Sequence, residues 1–387
     1  MLHRKAAPAR THAVSTVDGF HVLHVAEYGA HDGAPIVYLH GGPGGGIPPD
    51  APRLFDPDLF RVIVFDQRGC GRSTCDNRLR ANTTDLLIDD IETIRQHLGI
   101  ERWAVMGSSY GALLTALYSA RHAPHVSWAI VHGAFLGTHA EVEWLYCSEG
   151  AARFYPKQWD EFLAAAPAYE VEGDVGDADG SLATPARAGD LAAPKLVARF
   201  HRALTADSVG RAHPPPDGEE LPATALAAAA ALTLWEDDME TLVPMPATHE
   251  PAELVAGAQI AAHYFYHGCH LAVPGGAHDS VPPPDVYTAD GILPELRGAA
   301  EALARVPCAI VHGRHDVVCP PRAAHRLHAA WPHSTLRIVE GGAHALFEKP
   351  MRAAAQAALA ELVAPGGDGE MLMVPGGGGA PAKRRRA

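Results

Sequence analysis

Hydrophobic residues in the first 135 positions form short, nearly continuous runs that are separated by turn residues. These runs predict strands buried on both faces, at residues 20–27, 35–39, 61–65, 103–106 and 126–131. Residues 84–98 instead repeat leucine and isoleucine every three or four positions, and residues 110–120 have a similar helical pattern. Alternating buried strands and helices predict a mostly parallel, doubly wound α/β sheet covered by helices on both faces.

The pattern changes after residue 135 and returns near residue 302. The intervening block is rich in helical patterns, at residues 144–153, 195–204, 223–235 and 252–265. Two polar stretches rich in Gly, Pro and Asp, at 170–189 and 206–221, predict exposed loops. Strand patterns resume at 308–311 and 335–339, and a last helical pattern covers 351–362.

These changes predict three parts of the chain. Residues 1–135 and 302–364 are expected to form the α/β core, and residues 136–301 a helical cap inserted between strands. Residues 365–387 are rich in glycine and end in basic residues, so we expect a disordered tail.

Composition narrows the possible partners and the compartment. The chain has 387 residues, 47% of them hydrophobic, with a net charge of -14. That charge disfavours a nucleic-acid partner, and no apolar run is long enough to predict a membrane span. The six cysteines form no C-x-x-C pair, so we expect free thiols and a cytoplasmic location. The sequence does not indicate the oligomeric state.

The segment Gly-Ser-Ser-Tyr-Gly fits the G-x-S-x-G pattern of a nucleophilic serine. It follows the predicted strand 103–106 and opens the predicted helix 110–120, which is the context this pattern requires. Small neighbours on both sides allow a strained turn that raises the hydroxyl of Ser109 above the sheet edge. Ser109 is therefore the candidate nucleophile.

A serine hydroxyl needs a base to accept its proton, and the base needs an orienting carboxylate. In this type of sheet the chain order is serine, acid, histidine. Asp316 follows the predicted strand 308–311, and His344 follows the predicted strand 335–339. All three residues thus come from carboxyl ends of strands, where open α/β sheets bind ligands.

The glycine run after residues 35–39 predicts donors for the oxyanion of an acyl-transfer reaction. We expect the backbone N–H groups of Gly42 and Tyr110 to form this oxyanion hole, with Gly41 beside the substrate. A phosphate-binding loop is disfavoured because the Gly-Lys-Ser/Thr continuation is missing. His263, His267 and His270 lie near Cys269, but their spacing matches no common zinc pattern. No metal and no organic cofactor is therefore predicted.

Several motifs together resemble the prolyl aminopeptidase, or proline iminopeptidase, family of serine peptidases. They are HGGPGGG, DQRGCGRS, NTTDLLIDDIETIRQHLGI, GSSYGALLTALYS and HGRHDVVCPPRAAHRLHAAWP. The resemblance covers most of residues 15–360 and implies an α/β-hydrolase fold with a cap. It also implies release of an N-terminal proline through an acyl-enzyme.

The same resemblance implies a substrate-binding site in the cap, where glutamates hold the free α-amino group. The Trp-Glu motif of the family matches Trp235 and Glu236. A second family glutamate corresponds to Ala261, so one carboxylate is missing unless Glu253, Glu143 or an acid of the inserted loops replaces it. The substrate is therefore expected to be a peptide or another small molecule.

Three functions remain open on the sequence. The first is an aminopeptidase for N-terminal proline, and the second is an esterase or amidase for a neutral small molecule, which Ala261 favours. The third is a non-catalytic binding protein of the same fold, which the presence of Ser109, Asp316 and His344 disfavours. Dehalogenase and epoxide hydrolase chemistry is also disfavoured, because it requires an aspartate at the nucleophile position.

Overall fold

The structure is a computed structural model of the chain. It describes residues 1–167, 193–206, 209–213, 221–243, 250–271 and 291–364. The predicted loop at 170–189, most of the loop at 206–221 and the predicted disordered tail at 365–387 lie outside the described residues.

A single nine-stranded sheet forms the centre of the molecule. Its strands are Arg10–Ser15 (β1), His21–Gly29 (β2), Ala34–Leu39 (β3), Phe60–Phe65 (β4), Thr74–Cys75 (β5), Trp103–Ser108 (β6), Val126–His132 (β7), Cys308–Gly313 (β8) and Ser334–Val339 (β9). Their order is β1-β2-β4-β3-β6-β7-β8-β9, with β5 paired to β2. Strands β3, β4 and β6 to β9 pair in parallel, whereas β2 pairs antiparallel with its neighbours. The predicted mostly parallel sheet is confirmed.

The described α-helices divide into those that flank the sheet and those inserted between β7 and β8. The flanking helices are Thr84–His97 (α1), Tyr110–Arg121 (α2), Arg322–Ala330 (α10) and Lys349–Val363 (α11). The inserted helices are His139–Tyr146 (α3), Pro156–Ala164 (α4), Ala193–Thr205 (α5), Ala223–Glu240 (α6), Pro251–Tyr266 (α7), Pro294–Gly298 (α8) and Ala300–Leu303 (α9).

Alternating side chains of the strands contribute to two hydrophobic clusters, one on each face of the sheet. In β3, Val37 and Leu39 join the cluster that α1 and α2 cover, while Ile36 and Tyr38 join the cluster under α11. Successive residues of a strand point to opposite faces, so a continuously apolar strand is buried on both. The first cluster also extends into the inserted helices, which fixes them against the sheet.

One predicted helix, at residues 144–153, is wrong in its extent. Helix α3 begins earlier because Thr138 and Glu141 form a capping box, in which each side chain accepts from the other residue's backbone N–H. It ends at Tyr146 because Cys147 has extended backbone angles, and a separate 3-10 turn covers Ala151–Arg153. Helix α4 was not predicted.

Membrane crossing by a helix requires both length and apolar character. Throughout the ranges that the structure describes, no helix combines the two.

Candidate active site

The carboxyl ends of the parallel strands β3, β6, β8 and β9 lie at one edge of the sheet. Leu39 pairs with Gly107 across β3 and β6, and Gly313 pairs with Val339 across β8 and β9. The loops that follow these strands therefore open on the same side. They carry the residues Gly41, Gly42, Ser109, Asp316 and His344.

Ser109 occupies a strained turn between β6 and α2. Its φ of 58° and ψ of -121° lie in a region that side chains rarely adopt, and such strain is typical of a nucleophile turn. The backbone N–H of Ser109 donates to the carbonyl of His132 at 3.0 Å, which anchors the turn to the neighbouring strand β7. Ser109 is half-buried and precedes the first residue of α2.

The glycines on both sides of Ser109 are required by close backbone packing. A Cβ on Gly107 would lie 2.0 Å from the carbonyl oxygen of Gly111, and a Cβ on Gly111 would lie 2.1 Å from the carbonyl oxygen of Leu39. A Cβ on Gly41 would lie 3.0 Å from the Ser109 Cβ. The glycine loop after β3 thus lies directly against the candidate nucleophile.

Asp316 and His344 form a buried hydrogen-bonded pair. Nδ1 of His344 lies 2.8 Å from Oδ2 of Asp316, and Oδ1 of Asp316 accepts the backbone N–H of Cys319 at 2.8 Å. The backbone N–H groups of His344 and Ala345 donate to the carbonyl of Glu240, at the end of α6. An inserted helix therefore holds the histidine loop in place.

A second histidine supports the carboxylate. Nδ1 of His312 accepts the backbone N–H of Ala134 at 3.0 Å, so its Nε2 carries the proton. That Nε2–H donates to the carbonyl of Cys319 at 2.7 Å and lies 3.3 Å from Oδ2 of Asp316. Sequence reasoning missed His312, since one histidine among 24 in the chain carries no distinguishing signal.

The charges in the pair favour an imidazolium beside a carboxylate. Burial acts to lower the pKa of His344, but the charge and hydrogen bond of Asp316, together with Glu240 and Glu236, raise it to about 9. Burial acts to raise the pKa of Asp316, but His344 outweighs it and holds that pKa below its ordinary value. Asp316 therefore stays ionised, and the His344 proton is held by surrounding negative charge.

A cavity of about 670 Å³ brings the candidate residues together. Its lining includes Ser109, His344, Gly41 and Gly42 on the core side, and Leu145, Phe135 and Phe265 on an apolar wall. Four carboxylates also line it: Glu236, Asp237, Glu240 and Glu253. A nucleophile with a histidine–aspartate pair can perform acyl transfer, and the acidic lining favours a cationic group on the substrate.

Glu236 is the acid whose environment is best defined. Its Oε1 accepts the hydroxyl of Tyr146 at 2.5 Å. Burial raises the pKa of Glu236 to about 7, with Glu240 and Asp237 adding to the shift. Glu240 follows Glu236 by one turn of α6, so the two carboxylates lie on the same side of the helix.

Other predicted binding residues take different positions. Trp235 does not line the cavity and is only 1% exposed. Its indole ring stacks on Phe162, and its N–H donates to the carbonyl of Leu145. Ala261 lines the cavity, as does Glu253, whereas Glu143 is exposed and does not.

Sequence reasoning also missed two residues at the cavity. Glu240 was within the acidic run after Trp235, and its spacing from Glu236 was a usable signal. Cys319 also lines the cavity, and burial raises the pKa of its thiol well above its ordinary value. In the described part of the chain, one group of metal-ligating side chains comes together, His201, His263 and His267, and it lies outside the cavity.

Comparison with known proteins places this arrangement in a class. A model of the alpha/beta hydrolase fold matches residues 34–350, so the fold and the site define an α/β hydrolase. A proline iminopeptidase of Xylella fastidiosa is 37% identical over 341 residues, which are 87% of this chain and 91% of the relative.

Two further relatives agree with the first. A proline iminopeptidase of Xanthomonas citri is 36% identical over 336 residues, covering 86% of this chain and 90% of the relative. A proline iminopeptidase of Arabidopsis thaliana is 34% identical over 336 residues, covering 86% of this chain and 74% of the relative. The chain belongs to the proline iminopeptidase family, and the resemblance found in its motifs is confirmed.

Proposed function

We propose that this protein is a serine aminopeptidase that releases proline from the N-terminus of peptides. The observation that carries the proposal is the set of four carboxylates in the cavity that contains Ser109 and His344. A neutral ester needs no such lining, whereas the ammonium group of a free N-terminus forms charge-assisted hydrogen bonds with carboxylates. The names of the relatives, proline iminopeptidases, agree with this substrate.

The proposed reaction is acyl transfer through Ser109. Its Oγ attacks the carbonyl carbon of the proline residue while Nε2 of His344 accepts the hydroxyl proton. The backbone N–H groups of Gly42 and Tyr110 stabilise the oxyanion. Asp316 keeps the proton of His344 on Nδ1, which leaves Nε2 available as the base.

The intermediate then collapses and the cycle closes with water. His344 gives its proton to the leaving amine, and the shortened peptide departs from the acyl-enzyme. Water attacks the ester carbonyl while His344 accepts one of its protons, and that proton returns to Ser109 as free proline leaves. The apolar side chains of Phe135, Leu145 and Phe265 provide a surface for the pyrrolidine ring.

Replacing Glu236 with glutamine is expected to weaken recognition of the free amine. A hydrogen bond to a charged group contributes about 1.5–3 kcal/mol, so kcat/KM for prolyl-2-naphthylamide should fall about 10- to 150-fold. A p-nitrophenyl ester without an amine should show no such loss, since Glu236 acts on it only by raising the pKa of His344. Steady-state kinetics on both substrates measures the difference.

Asp238→Asn is the matched control for that substitution. Asp238 is on the same helix but does not line the cavity, so neither substrate should be affected. Equal losses on amide and ester in Glu236→Gln would show that Glu236 maintains the site rather than binding the amine.

The acid limb of the pH profile is expected to reflect His344. The base acts only when neutral, so kcat/KM for a p-nitrophenyl ester should rise with pH up to about 9 and then level off. Glu240 is one of the acids that stabilise the imidazolium, so Glu240→Gln should lower the pKa of His344 and move this limb to lower pH. An unmoved limb, or one at higher pH, would contradict the electrostatic role of Glu240.

A second candidate function is hydrolysis of a neutral ester or amide. Ala261 favours it, since this cavity-lining position lacks the carboxylate found in the family. Glu240 and Glu253 weigh against it, because both place a carboxylate at the same cavity.

We propose that residues 136–301 act as a cap whose acids bind the substrate amine, while residues 1–135 and 302–364 carry the triad. We also propose a cytoplasmic location, which is supported by six free cysteines, four of them buried. The net charge of -14 supports a peptide or small-molecule substrate over nucleic acid.

A further inference from the structure

Four histidines from two segments of the inserted helices lie close together. His201 belongs to α5, His263 belongs to α7, His267 directly follows α7, and His270 lies in the turn after it. One donor atom each from His201, His263 and His267 lie within 4.8 Å of one another. The ring centroid of His270 is 4.7 Å from that of His263 and 4.9 Å from that of His267. We call these four residues the histidine cluster.

The histidine cluster lies on the side of α7 that faces away from the active site. The residues of α7 that line the cavity repeat every three or four positions: Leu254, Gly257, Ala258, Ala261 and Phe265. At 100° per residue, His263 falls about 180° from Leu254 around the helix. His263 and His267 are four positions apart, so both project from that opposite face.

We propose that the histidine cluster binds one divalent transition-metal ion, most favourably Zn²⁺, between α5 and α7. Three nitrogen ligands are provided by His263 and His267, four residues apart at the end of α7, and by His201 of α5. His270 or a water molecule completes a tetrahedral shell. Imidazole is a ligand that suits zinc, copper and nickel, whereas calcium and magnesium prefer oxygen.

The present geometry is close to what a bound ion requires. Nitrogens that bind one Zn²⁺ at about 2.1 Å lie about 3.4 Å apart in a tetrahedron, so donor atoms now within 4.8 Å of one another must approach by at most about 1.4 Å. Rotation of half-buried imidazoles can supply that movement. Stacking already restricts one ring, since His201 lies parallel to Tyr266 with centroids 4.2 Å apart.

The protonation state also suits metal binding. Burial lowers the pKa of His201 to about 4 and that of His263 to about 2, with His267 and Arg211 adding to both shifts. Both imidazoles are therefore neutral at pH 7 and need not release a proton before they bind a metal.

An ion in this position would link two helices that a hydrogen bond and a ring stack already connect. Gln259 of α7 donates to the carbonyl of Leu204 in α5 at 2.8 Å. A ligand that binds only the folded state stabilises it in proportion to its concentration above Kd. Because the cluster faces away from Ser109, metal binding should stabilise the fold without changing the chemistry.

Sequence reasoning predicted no metal here because it considered only the segment with His263, His267 and His270. The missing ligand, His201, comes from a different helix, and the sequence gives no sign that the two helices are neighbours.

The test is zinc titration of the full chain after EDTA treatment and removal of the chelator. We expect one equivalent of Zn²⁺ to bind with Kd of about 1 µM or tighter in calorimetry, and Tm to rise with zinc concentration. Hydrolytic activity should be the same with and without zinc. Co²⁺ in place of zinc should give the visible absorption of a tetrahedral site in the unaltered chain, which tests the geometry without any substitution.

The double variant His263→Gln/His267→Gln should bind zinc at least 100-fold more weakly and lose the rise in Tm. The matched control, His31→Gln/His97→Gln, removes two exposed histidines elsewhere and should behave as wild type. The proposal is overturned if the wild type shows no site tighter than the cluster variant, or if Co²⁺ gives only the spectrum of the hydrated ion.

Discussion

Ser109→Ala should lose hydrolysis of prolyl-2-naphthylamide by about 10⁴-fold or more. Without the hydroxyl no acyl-enzyme forms, and only the residual effect of binding and oxyanion stabilisation remains. Alanine occupies nearly the same volume, and the φ of 58° strains either residue similarly, so the fold should survive. Steady-state kinetics combined with thermal unfolding separates loss of chemistry from loss of structure.

Ser108→Ala is the matched control, because the Gly-Ser-Ser-Tyr-Gly segment holds two serines. Ser108 is the last residue of β6, and its hydroxyl forms a hydrogen bond with Nδ1 of His132 at 2.7 Å. We expect this variant to keep at least a tenth of the activity. If Ser108→Ala were inactive and Ser109→Ala active, the assignment of the nucleophile would be wrong.

Asp316→Asn should reduce kcat by about 10⁴-fold with little change in volume. The amide of asparagine can present an N–H where His344 now meets a carboxylate oxygen, which favours the tautomer whose Nε2 carries the proton. That tautomer cannot accept the proton of Ser109. Loss of the carboxylate also removes the main stabiliser of the imidazolium, so the pKa of His344 should fall below 9.

Two readouts make this second prediction specific. The kinetics give the loss of kcat, and NMR titration of the His344 imidazole gives the fall of its pKa. Asp85→Asn is the control, since Asp85 forms a partly exposed ion pair with Arg121 on the surface of α1 and should leave both readouts unchanged. Full activity in Asp316→Asn would exclude a triad built on Asp316.

Most of the core could be predicted because its signals are local. The strand before Ser109 is continuously apolar, and the glycines around it reflect contacts within the same turn. The order serine, aspartate, histidine at three strand ends follows from the sheet topology. These patterns predicted the fold and identified three residues that the structure brings to one site.

The inserted helices were harder to predict because their contacts come from distant parts of the chain. His312 donates to the carbonyl of Cys319 in the loop that follows Asp316. The carbonyl of Glu240 accepts the backbone N–H of His344. Trp235 follows the family motif, yet its aromatic ring packs inside the insertion. The pattern at 144–153 predicts one helix, whereas the capping box of Thr138 and Glu141 starts α3 five residues earlier.

Whether the active site requires a free N-terminal amine can be measured by comparing substrates in the wild-type protein. The rates to compare are those on prolyl-2-naphthylamide, its N-acetylated form and a simple p-nitrophenyl ester, with Ser109→Ala as the blank. We expect the free-amine amide to be cleaved and the acetylated amide to remain intact. Efficient ester hydrolysis together with equal rates on the two amides would show that no free amine is required and would make the esterase function the better description.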